Sequence, residues 1–170
     1  MRNTKRIAIA TIFGVLIFTS KTIIPSPINK MIVIIQALLL ALSSLLLRRF
    51  GATYSGITGG LLTALWNLSL APFSFVFALL FGLLVDGLFF VFKVNTSGDD
   101  VSTAGIVTAM TIATAFVGTL SYYSTTQLIK LIPRNLVIEV TILIMGTISG
   151  ALAGYLTSII WRKYLKNIEL

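Results

Sequence analysis

Between Phe50 and Val85 the chain carries 36 consecutive residues without a formal charge, and this run restricts the possible folds more than any other feature. As one helix it would be about 54 Å long at about 1.5 Å per residue. A bilayer's hydrocarbon core is only about 30 Å thick and is crossed by about 20 residues. Two spans joined by a tight turn accommodate the excess. The turn is placed at Leu70-Ala71-Pro72, because proline lacks a backbone donor and disfavours helix in the residue before it. The expected helices are then 54–70 and 73–92.

The same logic divides the rest of the chain. A first span over about 7–24 is interrupted only by Lys21, near enough to the end for its stem to reach the interface. No A-x-A-like cleavage site follows it, so it is expected to be a retained span and not a signal peptide. Pro25 and Pro27 break it, and Lys30 and Arg48 anchor an uncharged second span over 31–47. The polar stretch KVNTSGDD, Lys93 to Asp100, reads as a loop. Spans over 102–123 and 136–161 follow, separated by a polar connector through Lys130, Pro133 and Arg134. Of 170 residues, 56% are apolar and 11% charged, against about 25% charged in an average soluble domain. The reading is an all-α membrane protein, one domain over residues 1–170, folded as a six-transmembrane-helix bundle. Six spans take about 120 residues, which leaves no room here for a sizeable extramembrane domain.

Topology explains the net charge of +8 better than nucleic acid does, because the charges fall between apolar runs. Arg2, Lys5, Arg6, Arg48, Arg49, Lys93, Arg162, Lys163 and Lys166 lie on one side, and Lys21, Lys30, Lys130 and Arg134 on the other. The excess places both termini in the cytoplasm and the protein in the cell membrane.

Several chemistries are excluded. With neither Cys nor His there is no disulfide, thiol nucleophile or imidazole base, and no such ligand for zinc, copper or haem. No metal site and no cofactor are expected in this chain. Neither GxxxxGK[ST] nor GxGxxG occurs, so ATP, if used, is supplied by another chain.

Sorted by depth, the polar and aromatic residues collect at the outer level. Gln36 is one turn inside the second helix, Trp66 and Asn67 end the third, and Phe73, Phe75 and Phe77 open the fourth. Tyr122, Tyr123 and Gln127 lie at and just after the end of the fifth, and Glu139 opens the sixth. An outward-facing pocket for a small organic ligand is one reading, with Gln36, Trp66, Asn67, Phe75, Tyr122, Tyr123 and Glu139 as candidate binding residues. An aromatic belt at the interface is the other. Glu139 either favours a ligand with a positive charge or N–H donors, or is a first-turn carboxylate favoured by the helix dipole. Asp86, an acid inside the apolar run FGLLVDGLFF, is expected to tie its helix to a neighbour or to Arg48 or Arg49; proton or ion coupling is the alternative.

Small residues recur at four-residue spacing: Gly146, Gly150, Gly154 and Ser158; Gly56, Gly60 and Ala64; Gly105, Ala109 and Ala113; Ala10 and Gly14. Such stripes let helices approach closely. Packing within the bundle is the expected use, and Ala10 and Gly14 on the first helix are the candidate face for a partner chain.

The six-span layout, the proline-broken first loop, the passage RRFGATYSGITGGLL and the run FSFVFALLFGLLVDGLF together resemble the substrate-binding (S) component of an energy-coupling factor transporter. The resemblance implies a small membrane protein that captures a vitamin or precursor outside, topples in the membrane, and works with a transmembrane coupling protein and two ATPases. It also implies that Ala10 and Gly14 stand where the family's AxxxA contacts the coupling protein. The absence of His argues against the nickel and cobalt branch and for an organic ligand such as thiamine, its pyrimidine precursor or another water-soluble vitamin. Glu139 tilts that expectation toward a cationic or amino-bearing ligand. A structural subunit of a cell-envelope complex is the alternative. A self-contained carrier coupled through Asp86 lacks a second intramembrane charge, and an intramembrane enzyme lacks GxSxG and HExxH.

Overall fold

The computed structural model describes residues 2–23, 32–47, 50–68, 71–94, 101–128 and 135–165. The described residues are helical apart from short ends and contain no strand, in six main helices: α1 (Arg2–Ile23), α2 (Ile32–Leu47), α3 (Gly51–Trp66), α4 (Ala71–Val91), α5 (Thr103–Tyr123) and α6 (Leu136–Ile160). Single π-helical turns, Ser124–Leu128 and Trp161–Leu165, extend α5 and α6. The proline break at Pro25 and Pro27, the arginines Arg48 and Arg49, most of the KVNTSGDD loop and the Lys130–Arg134 connector lie outside the described residues.

Local chemistry sets the helix ends. Pro72 sits in the first turn of α4, where its missing N–H has no intrahelical partner to lose. Ser102 caps α5, its hydroxyl accepting from Gly105 N at 3.2 Å, and the Asn135 side chain caps α6 by accepting from Val137 N at 2.9 Å. Beyond the end of α4, Lys93 N–H donates to Phe90 O and Val94 N–H to Phe89 O. This is the paired-bond C-cap that normally has glycine in its left-handed position. Here Lys93 takes it, at φ 48.

Successive helices run antiparallel, and glycine contacts fix how they meet. A Cβ added at Gly82 of α4 would fall 2.5 Å from Ala52 O, and one at Gly56 of α3 2.6 Å from Ala78 O. Across α5 and α6, a Cβ at Gly150 would be 2.0 Å from Thr114 Oγ1 and one at Gly154 2.8 Å from the Val107 Cα. Thr114 donates across this seam to Gly146 O at 2.8 Å. Both stripes therefore let backbone lie against backbone. Gly60 and Gly146 follow the same seams, closest to the Ala78 Cβ and the Ala115 Cα respectively.

The Ala10 and Gly14 pair serves the same purpose. Ala10 is buried, and a Cβ at Gly14 would collide with Thr58 of α3, 1.8 Å from its hydroxyl oxygen. These positions form an internal α1–α3 seam, so the face expected to receive a partner chain is packed on Thr58 and Gly59 here. Small residues on both sides, Gly14 on α1 and Gly59 on α3, let the two backbones approach closely there.

The core is built from Ile17, Leu40, Leu45, Val85, Ile106 and Met110, all almost fully buried. The periphery is apolar too: Leu83, Phe90, Ile112, Phe116, Leu143, Ile144, Ile148 and Leu152 are exposed. Three helical segments, Ala71–Val91, Thr103–Gln127 and Leu136–Leu165, are long and apolar enough to cross a membrane. An apolar exterior of this extent is matched by lipid, not by water.

Candidate functional site

Because consecutive helices alternate in direction, the C-terminal turns of α1 and α3 meet the N-terminal turns of α2 and α4 at one end of the bundle. A cavity of about 440 Å³ opens there, within the size range of small-molecule sites. Phe18, Lys21 and Thr22 line it from α1, and Val33 and Gln36 from α2. Thr63, Trp66 and Asn67 contribute from the end of α3 and Ser74 from α4.

Each helix delivers its groups for a local reason. The α3 helix stops at Trp66, with Asn67 leaving helical geometry at φ −125 and ψ 84 while its N–H still donates to Thr63 O. The final turn thus opens onto the space between helices. Trp66, mostly exposed at the rim, meets Phe18 edge to face, ring centroids 6.2 Å apart at 71°. Thr22 and Thr63 donate their hydroxyls to the carbonyls of Phe18 and Gly59 on their own helices, at 2.6 and 2.7 Å. The side chains of Lys21, Gln36 and Asn67 make no hydrogen bond among the described residues. Among the described residues that line the cavity, Lys21 is the one formal charge and none is a carboxylate.

Three of the expected binding residues, Gln36, Trp66 and Asn67, are brought together here. Phe75 is instead turned toward α3, its ring 3.5 Å from the position a Cβ on Gly60 would take. Tyr122, Tyr123 and Glu139 form a separate cluster where α5 hands over to α6. The Tyr122 hydroxyl donates to Asn135 O at 3.0 Å and accepts from Asn135 N at 2.9 Å. Tyr123 donates its hydroxyl to Glu139 Oε1, and the two tyrosine rings pack edge to face. None of these residues, nor Phe75, lines the cavity. Lys21, Thr22, Thr63 and Ser74 belong to it without having been singled out. The signal for Lys21 was its register: Ala10, Gly14 and Lys21, at intervals of four and seven, share the helix face that packs on α3.

Asp86 is remote from the cavity, beside the opposite end of α3. Its Oδ1 accepts from the Ser44 hydroxyl at 2.6 Å and from Ala52 N at 3.2 Å. Its Oδ2 accepts from Thr53 N at 2.7 Å and the Thr53 hydroxyl at 2.6 Å. Phe50, the residue preceding α3, is left-handed at φ 56 and makes no side-chain cap. The carboxylate of α4 therefore caps α3 from across the bundle and holds α2 to both, so its place is a tie between helices. Beside it, the Ser43 hydroxyl bonds Gly51 O at 2.7 Å and Ser55 at 2.6 Å, and the Arg6 guanidinium donates to Leu47 O.

No protein-family model matches the chain, and neither does any curated protein or solved structure. Among the described residues there is no group of three or more acidic side chains able to hold a metal ion.

Proposed function

We propose that this protein is the substrate-capture subunit of an ATP-driven uptake transporter, binding a small water-soluble organic micronutrient and passing it inward through a separate coupling protein and ATPases. The observation that carries the reading is the cavity. In a bundle whose exterior is apolar, three helices bring a lysine, two amides and an indole to one space at one end, and α4 adds the Ser74 hydroxyl, the composition of a ligand site. The chain's composition and spacing support the rest: there is no phosphate-binding loop, and no Cys or His. In this reading α1, α2 and α3 also cross the bilayer of the cell membrane, both termini are cytoplasmic, and the cavity opens outward. Docking at Ala10 and Gly14 would require α1 to part from α3, since Thr58 already fills that seam.

Purification from native membranes in mild detergent tests the proposal, with mass spectrometry of companion proteins and of any small molecule released on denaturation. A membrane coupling protein with ATPases, or a stoichiometric micronutrient, is the expected result. Recovery of cell-envelope proteins with no released compound would replace it with a structural role in an envelope complex.

A further inference from the structure

We infer that the cavity selects a small organic anion, a carboxylate carried on a planar ring, with Lys21 as its counter-charge. This deepens the capture reading and rests on it. The charge balance is the first argument. Among the described residues the carboxylates are Asp86, held by four donors beside the opposite end of α3, and Glu139, bonded by Tyr123 on the α5–α6 side. Neither lines the cavity, and the lining residues that α2, α3 and α4 contribute carry no formal charge. Lys21 is partly buried where it lines this space; withdrawing an ammonium from water costs less beside a partner anion, and a ligand carboxylate supplies one.

The donor set is the second argument. Beyond Lys21, Gln36, Asn67 and Trp66, which line the same space, each carry an N–H donor. Hydrogen bonds from such groups to an ionised acceptor are about twice as strong as neutral ones. The third is shape. The edge-to-face pair of Phe18 and Trp66 presents a flat aromatic surface beside Lys21, which suits a planar ring stacked or edge-packed against it. The cationic ligand that Glu139 favoured in the sequence finds no carboxylate here.

The test uses the purified chain in neutral detergent. Benzoate and benzamide share a ring and differ by the charge, and protection against thermal unfolding is read for each. Benzoate is expected to protect at about tenfold lower concentration, the ratio that one charge-assisted bond confers, and Lys21→Gln is expected to erase the difference. A second readout places a reporter in the cavity. Replacing Trp161, buried at the far end of α6, by phenylalanine leaves Trp66 as the single tryptophan of the two. Iodide should then quench Trp66 severalfold more than caesium does, and Lys21→Gln should level the two. If Trp161→Phe fails to fold, the melting comparison on the otherwise unaltered chain decides alone.

Equal protection by benzoate and benzamide, or a preference that survives Lys21→Gln, overturns the inference. Loss of the iodide preference in phosphatidylglycerol vesicles, with benzoate unable to compete, overturns it too and assigns the anion to a lipid headgroup. The two readings separate cleanly. Copurifying ATPases without charge preference keep the capture role and remove the anion, whereas charge preference without such partners does the reverse.

Discussion

At one end of the bundle four donors converge on a single carboxylate; at the other a lysine, two amides and an indole line a cavity. Both ends are made by the same helices, α2, α3 and α4, and the length of α3 sets them about 20 Å apart. The difference lies in whether the polar groups are matched within the chain. Around Asp86 the α3 N–H groups and the hydroxyls of Ser44 and Thr53 all find an acceptor, so this end fixes helix positions. Around Lys21 the side-chain donors of Lys21, Gln36 and Asn67 find no acceptor among the described residues, so this end is expected to contribute less to stability and to be open to selection for binding.

Removing the match should therefore cost far more at the first end than at the second. Asp86→Ala takes the cap from α3 and strands two backbone N–H groups and two hydroxyls. The expected loss is about 2–4 kcal/mol, from a cap plus several hydrogen bonds to a charged group. Asp86→Asn keeps an acceptor and should cost about half as much. Gln36→Ala, at the cavity end, should stay within about 0.5 kcal/mol. Unfolding in detergent, followed by circular dichroism against denaturant or temperature, measures all three. Equal losses for Asp86→Ala and Gln36→Ala would erase the distinction between the ends.

Two glycines five residues apart on α4 sharpen it further. A Cβ at Gly82 meets the Ala52 carbonyl and the Thr53 Cα, at 2.5 and 2.9 Å, whereas one at Gly87 meets nothing within 4 Å. Gly82→Ala must push α3 away from α4 and loosen the Asp86 contacts, costing about 1–3 kcal/mol. Gly87→Ala should instead stabilise, by about 0.5–1 kcal/mol of helix propensity. The same unfolding assay reads both, and a like sign for the two would mean that the α3–α4 seam is not tight.

Much of the helix layout was legible because charged residues and prolines punctuate long apolar runs, a pattern that survives any rotation of the helices. The start of α3 was not. It was expected near Tyr54 and occurs at Gly51, since the cap comes from Asp86, 35 positions later in the chain, and no local residue announces it. The site was only half legible for a related reason. Depth along a helix follows from sequence position, and Gln36, Trp66, Asn67, Tyr122, Tyr123 and Glu139, expected at one outer level, all lie near helix ends. Rotation about the axis depends on which seams form. The α5–α6 seam at Gly146, Gly150 and Gly154 leaves Tyr122 and Glu139 to bond within their own hairpin, while the α1–α3 seam at Gly14 turns Lys21 toward the cavity.

Trp66→Ala probes the cavity end from the other direction. Its side chain is mostly exposed and its main aromatic contact is the edge of Phe18, so truncation should cost only about 1 kcal/mol of stability. Binding should suffer more: the benzoate concentration needed for thermal protection should rise about tenfold, the consequence of losing a ring surface and an N–H donor together. A variant that loses stability and not affinity would reassign Trp66 to packing or to the interface with lipid.

The smallest effect is expected at Glu139, and it is the most informative about where the site ends. Glu139 sits in the first turn of α6 and takes the Tyr123 hydroxyl, so Glu139→Gln keeps an acceptor for that bond and gives up only the charge. The loss of a favourable carboxylate at a helix N-terminus should cost about 0.3–1 kcal/mol. If binding belongs to the α1–α4 end alone, benzoate protection should stay within about twofold of the unaltered protein, because no atom of Glu139 reaches the cavity lining. A larger change has a definite meaning, and its direction is readable. Tighter benzoate binding in Glu139→Gln would show that this carboxylate repels the anion at long range, whereas weaker binding would place the α5–α6 hairpin against the ligand and join the two clusters into one site.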